Sequence, residues 1–299
     1  MSSEAQGGHG PAVSIVIPFY NPGGFFVLAL KSVFAQSFQD WELLLIDDGG
    51  TDDSKAMVSR LNDPRVRAIA DGANRGLSYR LNQGAELARG EYLFRMDADD
   101  AMHPDRVARQ LAVLRASEKN TVVGTASYTI DADSRVVGWR PANPGKGTGF
   151  AARHSFVHPT VAATASWFRA NPYSTDDVYR RGEDAELWCR TAASTEFKWI
   201  EEPLLFYREV GVFSIGPYLA GQLAVLDLIR RLEKSPARRM WLAAKERAKM
   251  GLFWSLAALH LNDLAVRHRY RRLPEEDRNE AQRVMQQVIE TELPLEPGE

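Results

Sequence analysis

The chain has a single cysteine, Cys189, in 299 residues. That excludes an intrachain disulfide, and any multi-thiolate zinc or iron–sulfur centre held by one copy. Long apolar runs are missing too. Runs such as Leu43 to Ile46 and Leu256 to Leu259 are far below the ~20 residues a membrane span needs. The opening segment, MSSEAQGGHG, has neither a basic end nor an apolar stretch, so no secretory signal is expected there and a short disordered tail over residues 1–11 is. Uniform basicity is absent: 37 Lys+Arg stand against 39 Asp+Glu, net −2, which argues against a general nucleic-acid binder. What remains is ordinary for a globular protein. Apolar residues make up 44% and charged residues 25%, enough for one large domain with an appendage. A cytoplasmic location fits.

The first half alternates. Val13 to Phe19 (VSIVIPF) is an apolar, β-branched run and Trp41 to Ile46 a second such segment, as strands buried on both faces are. Val66 to Ala70 and Glu91 to Met96 read as two more strands. Phe25 to Gln36, Asp53 to Leu61, Leu77 to Ala88 and a segment from His103-Pro104 to Ala116 read as helices between and after them. Strand–helix alternation with short links predicts a mostly parallel sheet flanked by helices. Thr121 to Ile130, Arg135 to Trp139 and Lys198 to Tyr207 are further strand candidates. Pro141 to Gly149 is a loop, and Glu183 to Ala192 a helix. After Arg208 the pattern is helical. Tyr218 to Leu232 sets Leu219, Leu223, Leu226 and Ile229 on one face. Ser235-Pro236 caps a long helix to about His268 that is expected to bury Trp241, Leu252, Phe253, Leu256 and Leu259. Pro274 and the acids after it open a last helix.

In open parallel sheets, ligands bind at the carboxyl ends of strands. Three polar clusters fall there: Pro18-Phe19-Tyr20-Asn21, Asp47-Asp48 and Asp97-Ala98-Asp99-Asp100. Asp97 and Asp99, two apart, point the same way if the strand geometry persists. Like charges held together call for a cation, and carboxylate oxygens suit Mg²⁺ or Mn²⁺ shared with a substrate's phosphates. Asp100 reads instead as a cap on the next helix, and Asp52 as a cap on the helix at Asp53. Three alternatives fail for want of their motifs: no GxGxxG follows the first strand, and no GxxxxGK[ST] and no GxSxG occurs.

Four blocks in order, VSIVIPFYN, WELLLIDDGGTDDS, NRGLSYRLNQGAELARGEYLFRMDADD and GEDAELWCR, make the chain resemble a family 2 glycosyltransferase from Ala12 to Arg208. The resemblance implies a GT-A fold, α/β with a mostly parallel sheet, over residues 12–210. Residues 12–100 would be the nucleotide-sugar half and 101–210 the acceptor half, with a helical C-terminal appendage over 211–299. It implies an inverting, metal-dependent transfer from a nucleoside-diphosphate sugar, with UDP or dTDP favoured. Pro18, Tyr20 and Asp48 would surround the base, Tyr20 by stacking, and Arg75 would reach the nucleotide or its phosphates. Asp97 would contact ribose or sugar, Asp99 the Mn²⁺ or Mg²⁺, and Asp184 would be the general base. Asp184 also reads as a plain helix N-terminal acid beside Glu183. Gly50 stands where the family often has serine. Asn82 and Gly90 keep the usual pattern. A sugar nucleotidyltransferase is disfavoured because Pro18 to Pro22 replaces its Gly-rich loop.

Other residues stay open on sequence alone. His158 is a third metal ligand, a phosphate contact or a loop histidine bonded to backbone. Trp167 and Tyr173 line the acceptor site or pack the core; Trp188 reads as core, Cys189 as a buried inert thiol, and Tyr207-Arg208 as structural. From Arg230 to Arg272 the chain has 12 Lys+Arg against 3 Asp+Glu, a local +9 that leaves −11 for the rest. Peripheral contact of 230–272 with an anionic membrane near a lipid-linked acceptor, packing on another subunit as a homodimer, and a solvated basic face all fit. The acceptor is expected to be a cell-envelope glycan or lipid-linked glycan. A peptide or small-metabolite acceptor, or a non-catalytic nucleotide-sugar-binding scaffold, are the alternatives.

Overall fold

The computed structural model describes residues 10–142, 156–209, 215–259 and 270–296. Most of the expected tail, most of the Pro141 to Gly149 loop and residues 260–269 of the basic block lie outside them. Four parallel strands form the first half of a single sheet: β1 (Val13–Phe19), β2 (Trp41–Asp47), β3 (Val66–Ala70) and β4 (Tyr92–Arg95). Between them run α1 (Phe25–Phe34), α2 (Ser54–Ser59) and α3 (Leu77–Leu87). After β4 come β5 (Ala101–Met102), α4 (Arg106–Arg115), β6 (Thr121–Ile130) and β7 (Val136–Arg140). Then follow β8 (Ala162–Thr164), α5 (Ala165–Ala170), α6 (Glu183–Thr191) and β9 (Glu196–Arg208). The sheet order is β3-β2-β1-β4-β8-β6-β9-β5, with β7 also on β6.

Side-chain alternation divides the core in two. Ile15, Ile17, Leu43 and Leu45 face α1 and α4, while Val16, Leu44 and Ile46 face α3, α5 and α6. Apart from Ser14 and Glu42, whose side chains bond to each other at 2.6 Å, β1 and β2 are apolar up to their carboxyl ends, where polar side chains gather. The sheet departs from parallel where β8 runs antiparallel between β4 and β6. Three residues, Ala-Ala-Thr, are too few to show a period, so neither β8 nor the two-residue β5 is visible in the sequence.

The C-terminal helices divide. α7 (Ile215–Leu232) packs on α6 and on the turn Asp177–Tyr179, where the Tyr179 hydroxyl donates to Asp227 Oδ2 at 2.5 Å. α8 (Pro236–Ala258) begins as expected, with Ser235 Oγ accepting from the Arg238 N–H at 3.4 Å, and packs on α7. α9 (Glu275–Glu290) packs on the sheet domain. Its Ala281, Met285 and Val288 are buried against Leu28 of α1 and Phe206 of β9. Lys31 Nζ donates to the Ile289 carbonyl at 2.5 Å, and the Asn62 N–H to the Pro294 carbonyl at 2.7 Å. The burial expected along α8 is corrected: Trp241, Leu252 and Leu259 are 59%, 58% and 67% exposed. A helix with one neighbour covers one stripe, and here that stripe holds Leu242 and Glu246.

Candidate active site

The turns after β1 and β2 are tied together. Asn21, at φ 49°, accepts the N–H groups of Thr51 and Asp52 on its Oδ1 at 2.6 and 3.1 Å. Asp47 accepts the Gly50 N–H at 2.9 Å and pairs with Lys55 at 3.0 Å. Asp48 is buried and reaches further. Its carboxylate accepts the Arg75 N–H at 2.7 Å, the Gly76 N–H at 3.0 Å and Arg80 Nε at 2.8 Å. Arg80, wholly buried, also pairs with Asp71 at 2.6 Å. Gly49 is needed where these loops meet, since at φ 78° a Cβ there would stand 2.9 Å from the Ala73 carbonyl carbon. Arg75 turns its side chain onto Asp71 at 2.8 Å and over the Tyr79 ring. Pro18 is buried in β1 opposite Ile46, while Tyr20 is 55% exposed. Asp52 plays the local role expected of it, accepting the Ser54 N–H at 3.2 Å and the Gly23 N–H at 2.9 Å.

The acidic turn after β4 is built around two arginines. Arg95, buried in the strand, forms a bidentate pair with Asp97 at 2.8 and 3.0 Å. Asp100 is buried, and its Oδ1 accepts the Arg208 N–H at 2.7 Å. The expectation that Asp100 caps the next helix is therefore corrected: α4 starts at Arg106 after Asp105, and Asp100 faces inward. Its other oxygen is buried without a hydrogen-bond partner among the described residues. Asp99 is half-buried, and burial plus the charge on Asp97 hold its carboxyl above the ordinary range. Asp97, Asp99 and Asp100 each place a carboxylate oxygen within 4.8 Å of the others. An unpaired buried oxygen among crowded carboxylates is a donor set that fits a hard divalent cation.

Across from this turn stands the first turn of α6. Asp184 Oδ1 accepts the Ala185 N–H at 2.7 Å, so the helix-terminal reading holds as local geometry. Burial raises its carboxyl above the usual range. Glu183, buried, is pushed up to about 7 by burial and by the charge on Asp184. His158 lies between the halves, with Nε2 3.0 Å from the Tyr173 hydroxyl and Nδ1 3.8 Å from Glu183 Oε1. Burial and the charge on Arg95 hold its imidazole well below the ordinary range, hence neutral. It does not join the acidic triplet. Asn82 clasps the Tyr173 backbone, donating to its carbonyl at 2.9 Å and accepting its N–H at 2.8 Å. Tyr173, Trp167 and Trp188 are core residues. Cys189 is half-buried, and burial raises its thiol to about 11.

Asp97, His158, Glu183 and Asp184 line one cavity of about 650 Å³. A smaller hollow of about 240 Å³, walled by Arg75 and Tyr79, adjoins it at Leu77. Sequence reasoning did not foresee Arg95 or Glu183 in the site. An arginine two residues before Asp97, hence on the same strand face, was the available sign of the first. It also missed Tyr270 and Arg271, which enter the cavity wall from beyond α8. The Arg271 N–H donates to the Trp139 carbonyl at 2.8 Å, and the Trp139 N–H donates to the Arg271 carbonyl at 2.9 Å. Nothing local in the sequence reports such a contact.

The profile of glycosyl transferase family 2 matches residues 14–174, which holds all three strand-end clusters. The chain belongs to this family. Among family 2 relatives, EpsE of Bacillus subtilis (strain 168), named for a glycosyltransferase, is 34% identical over 188 residues, covering 60% of this chain and 66% of EpsE. The succinoglycan biosynthesis protein ExoO of Rhizobium meliloti (strain 1021) is 38% identical over 101 residues, 34% of this chain and 29% of ExoO. The chain thus spans two thirds or less of these relatives' lengths. The fold matches TarS 1-349 of S. aureus in complex with UDP at TM-score 0.58 and 14% identity, covering 93% of this chain and 81% of that one. It also matches the mannosyltransferase PcManGT of Pyrobaculum calidifontis, in complex with GDP-Man and Mn2+, at TM-score 0.55 and 16% identity, covering 93% and 85%. The architecture is that of the GT-A glycosyltransferases. The family match stops before Asp184.

Proposed function

We propose that the chain moves a sugar from a nucleoside-diphosphate sugar to an acceptor hydroxyl with inversion. The observation that carries this reading is that Asp97 and Asp184, from opposite halves of the fold, line one cavity at the strand ends. Asp184 takes the proton of the acceptor hydroxyl as its oxygen bonds to the anomeric carbon. The bond from that carbon to the diphosphate oxygen breaks on the opposite face, and the nucleoside diphosphate leaves with the electron pair. A carboxyl raised by burial is a better proton acceptor than an ordinary one. Asp97 and Asp99, with Asp100 beside them, would hold Mg²⁺ or Mn²⁺, which when bound neutralises the diphosphate leaving group. Arg95 fixes the orientation of Asp97. Tyr20 offers an exposed ring for the base, and Asp48 with Arg80 holds the Arg75 loop in place. His158, neutral and bonded to Tyr173, positions the cavity floor.

UDP and GDP-Man in the two related folds support a nucleotide-sugar donor, and Mn2+ in one of them supports the metal. The succinoglycan protein among the relatives supports a polysaccharide or glycolipid acceptor. A screen of UDP-, dTDP- and GDP-sugars with Mn²⁺ or Mg²⁺ tests the reading. Asp184→Asn is expected to keep donor binding and lose transfer by about 10²–10⁴-fold. Asp99→Ala is expected to abolish the metal dependence of binding. If no donor binds and Asp99→Ala changes nothing, the proposal fails and a scaffold role takes its place.

A further inference from the structure

We propose that the exposed face of α8, together with the groove it forms with α7, docks on an anionic bilayer surface. Among the described residues α8 packs on α7, yet its apolar residues do not all point there. Leu242 is buried, whereas Met240, Trp241, Leu252, Trp254 and Leu259 are 72%, 59%, 58%, 60% and 67% exposed. Trp241, Leu252 and Leu259 are about three turns and then about two turns apart, so they share a stripe roughly a third of a turn from the packed one. Ala244 and Ala248 lie on that stripe between Trp241 and Leu252. A helix with a second apolar stripe in water is covered by something in use.

The charge says what. α8 holds five basic residues, Arg238, Arg239, Lys245, Arg247 and Lys249, against one acid. That acid, Glu246, is buried and pairs with Lys249. Beside Met240 a groove of about 770 Å³ runs between the helices, with Leu223 and Leu226 on its α7 wall and Arg230, Arg239 and Arg247 at its rim. Arg239 and Arg247 have no ion-pair partner among the described residues. Exposed tryptophans and leucines flanked by arginines and lysines suit the headgroup layer, where the ring sits at the interface and the cation meets lipid phosphate. No helix among the described residues is long and apolar enough to cross a membrane. The helix therefore lies on the surface. α7 carries the contact inward to α6, whose first turn holds Asp184.

The test is flotation of the full chain, without donor or acceptor, on vesicles of equimolar phosphatidylcholine and phosphatidylglycerol and on phosphatidylcholine alone. Binding to the mixed vesicles, weakened by salt, with a blue shift of tryptophan emission, is expected. Trp241→Ser with Leu252→Ser should lower partitioning by about tenfold or more at unchanged circular dichroism. Arg239→Gln with Arg247→Gln should lower it by roughly fivefold per charge and flatten the salt dependence. No flotation overturns the proposal, as does equal binding to both vesicles or indifference to both variant pairs. So does a dimer in sedimentation velocity that the Trp241/Leu252 pair dissociates, which would make the face a contact between copies. None of these readouts depends on sugar transfer, so this proposal and the enzymatic one fail separately.

Discussion

Arg208 and Asp100 lie 108 positions apart and are joined by a buried hydrogen bond, the Arg208 N–H donating to Asp100 Oδ1 at 2.7 Å. The arginine side chain completes the link, with Nε donating to the Asp99 carbonyl at 2.7 Å and Nη1 to the Asp131 carbonyl at 2.6 Å. The end of β9 thus sets the shape of the acidic turn from behind. Arg208→Met removes the side-chain bonds and keeps the backbone one. It is expected to cost about 2–3 kcal/mol of stability and to weaken Mn²⁺ binding. Chemical denaturation and titration calorimetry check the two effects.

Arg95 places its positive charge near Glu183 and Asp184, and favours their ionised forms. Removing the charge raises the carboxyl pKa values further, so a base that must be ionised works only at higher pH. In Arg95→Met the acid limb of the pH–rate profile should move to higher pH. Arg95→Lys keeps the charge and loses the two-pronged grip on Asp97, so the limb should stay while the rate falls. An unmoved limb in the methionine variant would remove Arg95 from this account.

Glu183 takes up a proton on folding over the range from its ordinary 4.5 to about 7. The folded state binds more protons than the unfolded one there, so stability falls as pH rises through that range. Glu183→Gln removes the buried charge. Its stability should match the parent near pH 4 and exceed it by up to about 3 kcal/mol near pH 8. Thermal melts at the two pH values measure the difference, and a gain at low pH instead would contradict it.

The strands that carry the site are legible because a strand buried on both faces is mostly apolar, as Val13 to Phe19 and Trp41 to Ile46 are apart from Ser14 and Glu42. The polar residues that end them then mark the strand tips. Legibility ends where partners are far apart in sequence. The α9 pattern says that Ala281, Met285 and Val288 need a cover, and not that α1 and β9 supply it. The α8 pattern gives a false answer for Trp241 and Leu252, because apolar residues at helical spacing look alike whether a neighbour or nothing in the chain covers them. His158 reads as open among three roles because its Tyr173 and Glu183 partners are 15 and 25 residues on.

Gly138 makes room for the segment that closes the cavity wall. A Cβ there would stand 2.3 Å from Tyr270 Cδ2 and 2.6 Å from the Arg271 carbonyl oxygen. Gly138→Ala should therefore loosen the Trp139–Arg271 pairing and cost about 1–3 kcal/mol. Tyr270→Ala in the same chain removes the ring and leaves the backbone clash, so the double variant should regain part of the loss and not all of it. Additive losses would show that the ring is not seated on Gly138.

Tyr20 separates binding from stability. Its ring is 55% exposed at the end of β1, beside the Asn21 bonds that shape the turn but without a part in them. Tyr20→Ala should leave the melting temperature nearly unchanged, since little apolar area leaves a packed environment. If the ring stacks on the base, losing it removes about 1–3 kcal/mol of binding, which is about fivefold to more than hundredfold in Kd. Titration calorimetry with the nucleoside diphosphate alone reads this without sugar or acceptor. An unchanged Kd would take Tyr20 out of the donor site, and a large fall in melting temperature would show that the ring serves the fold instead.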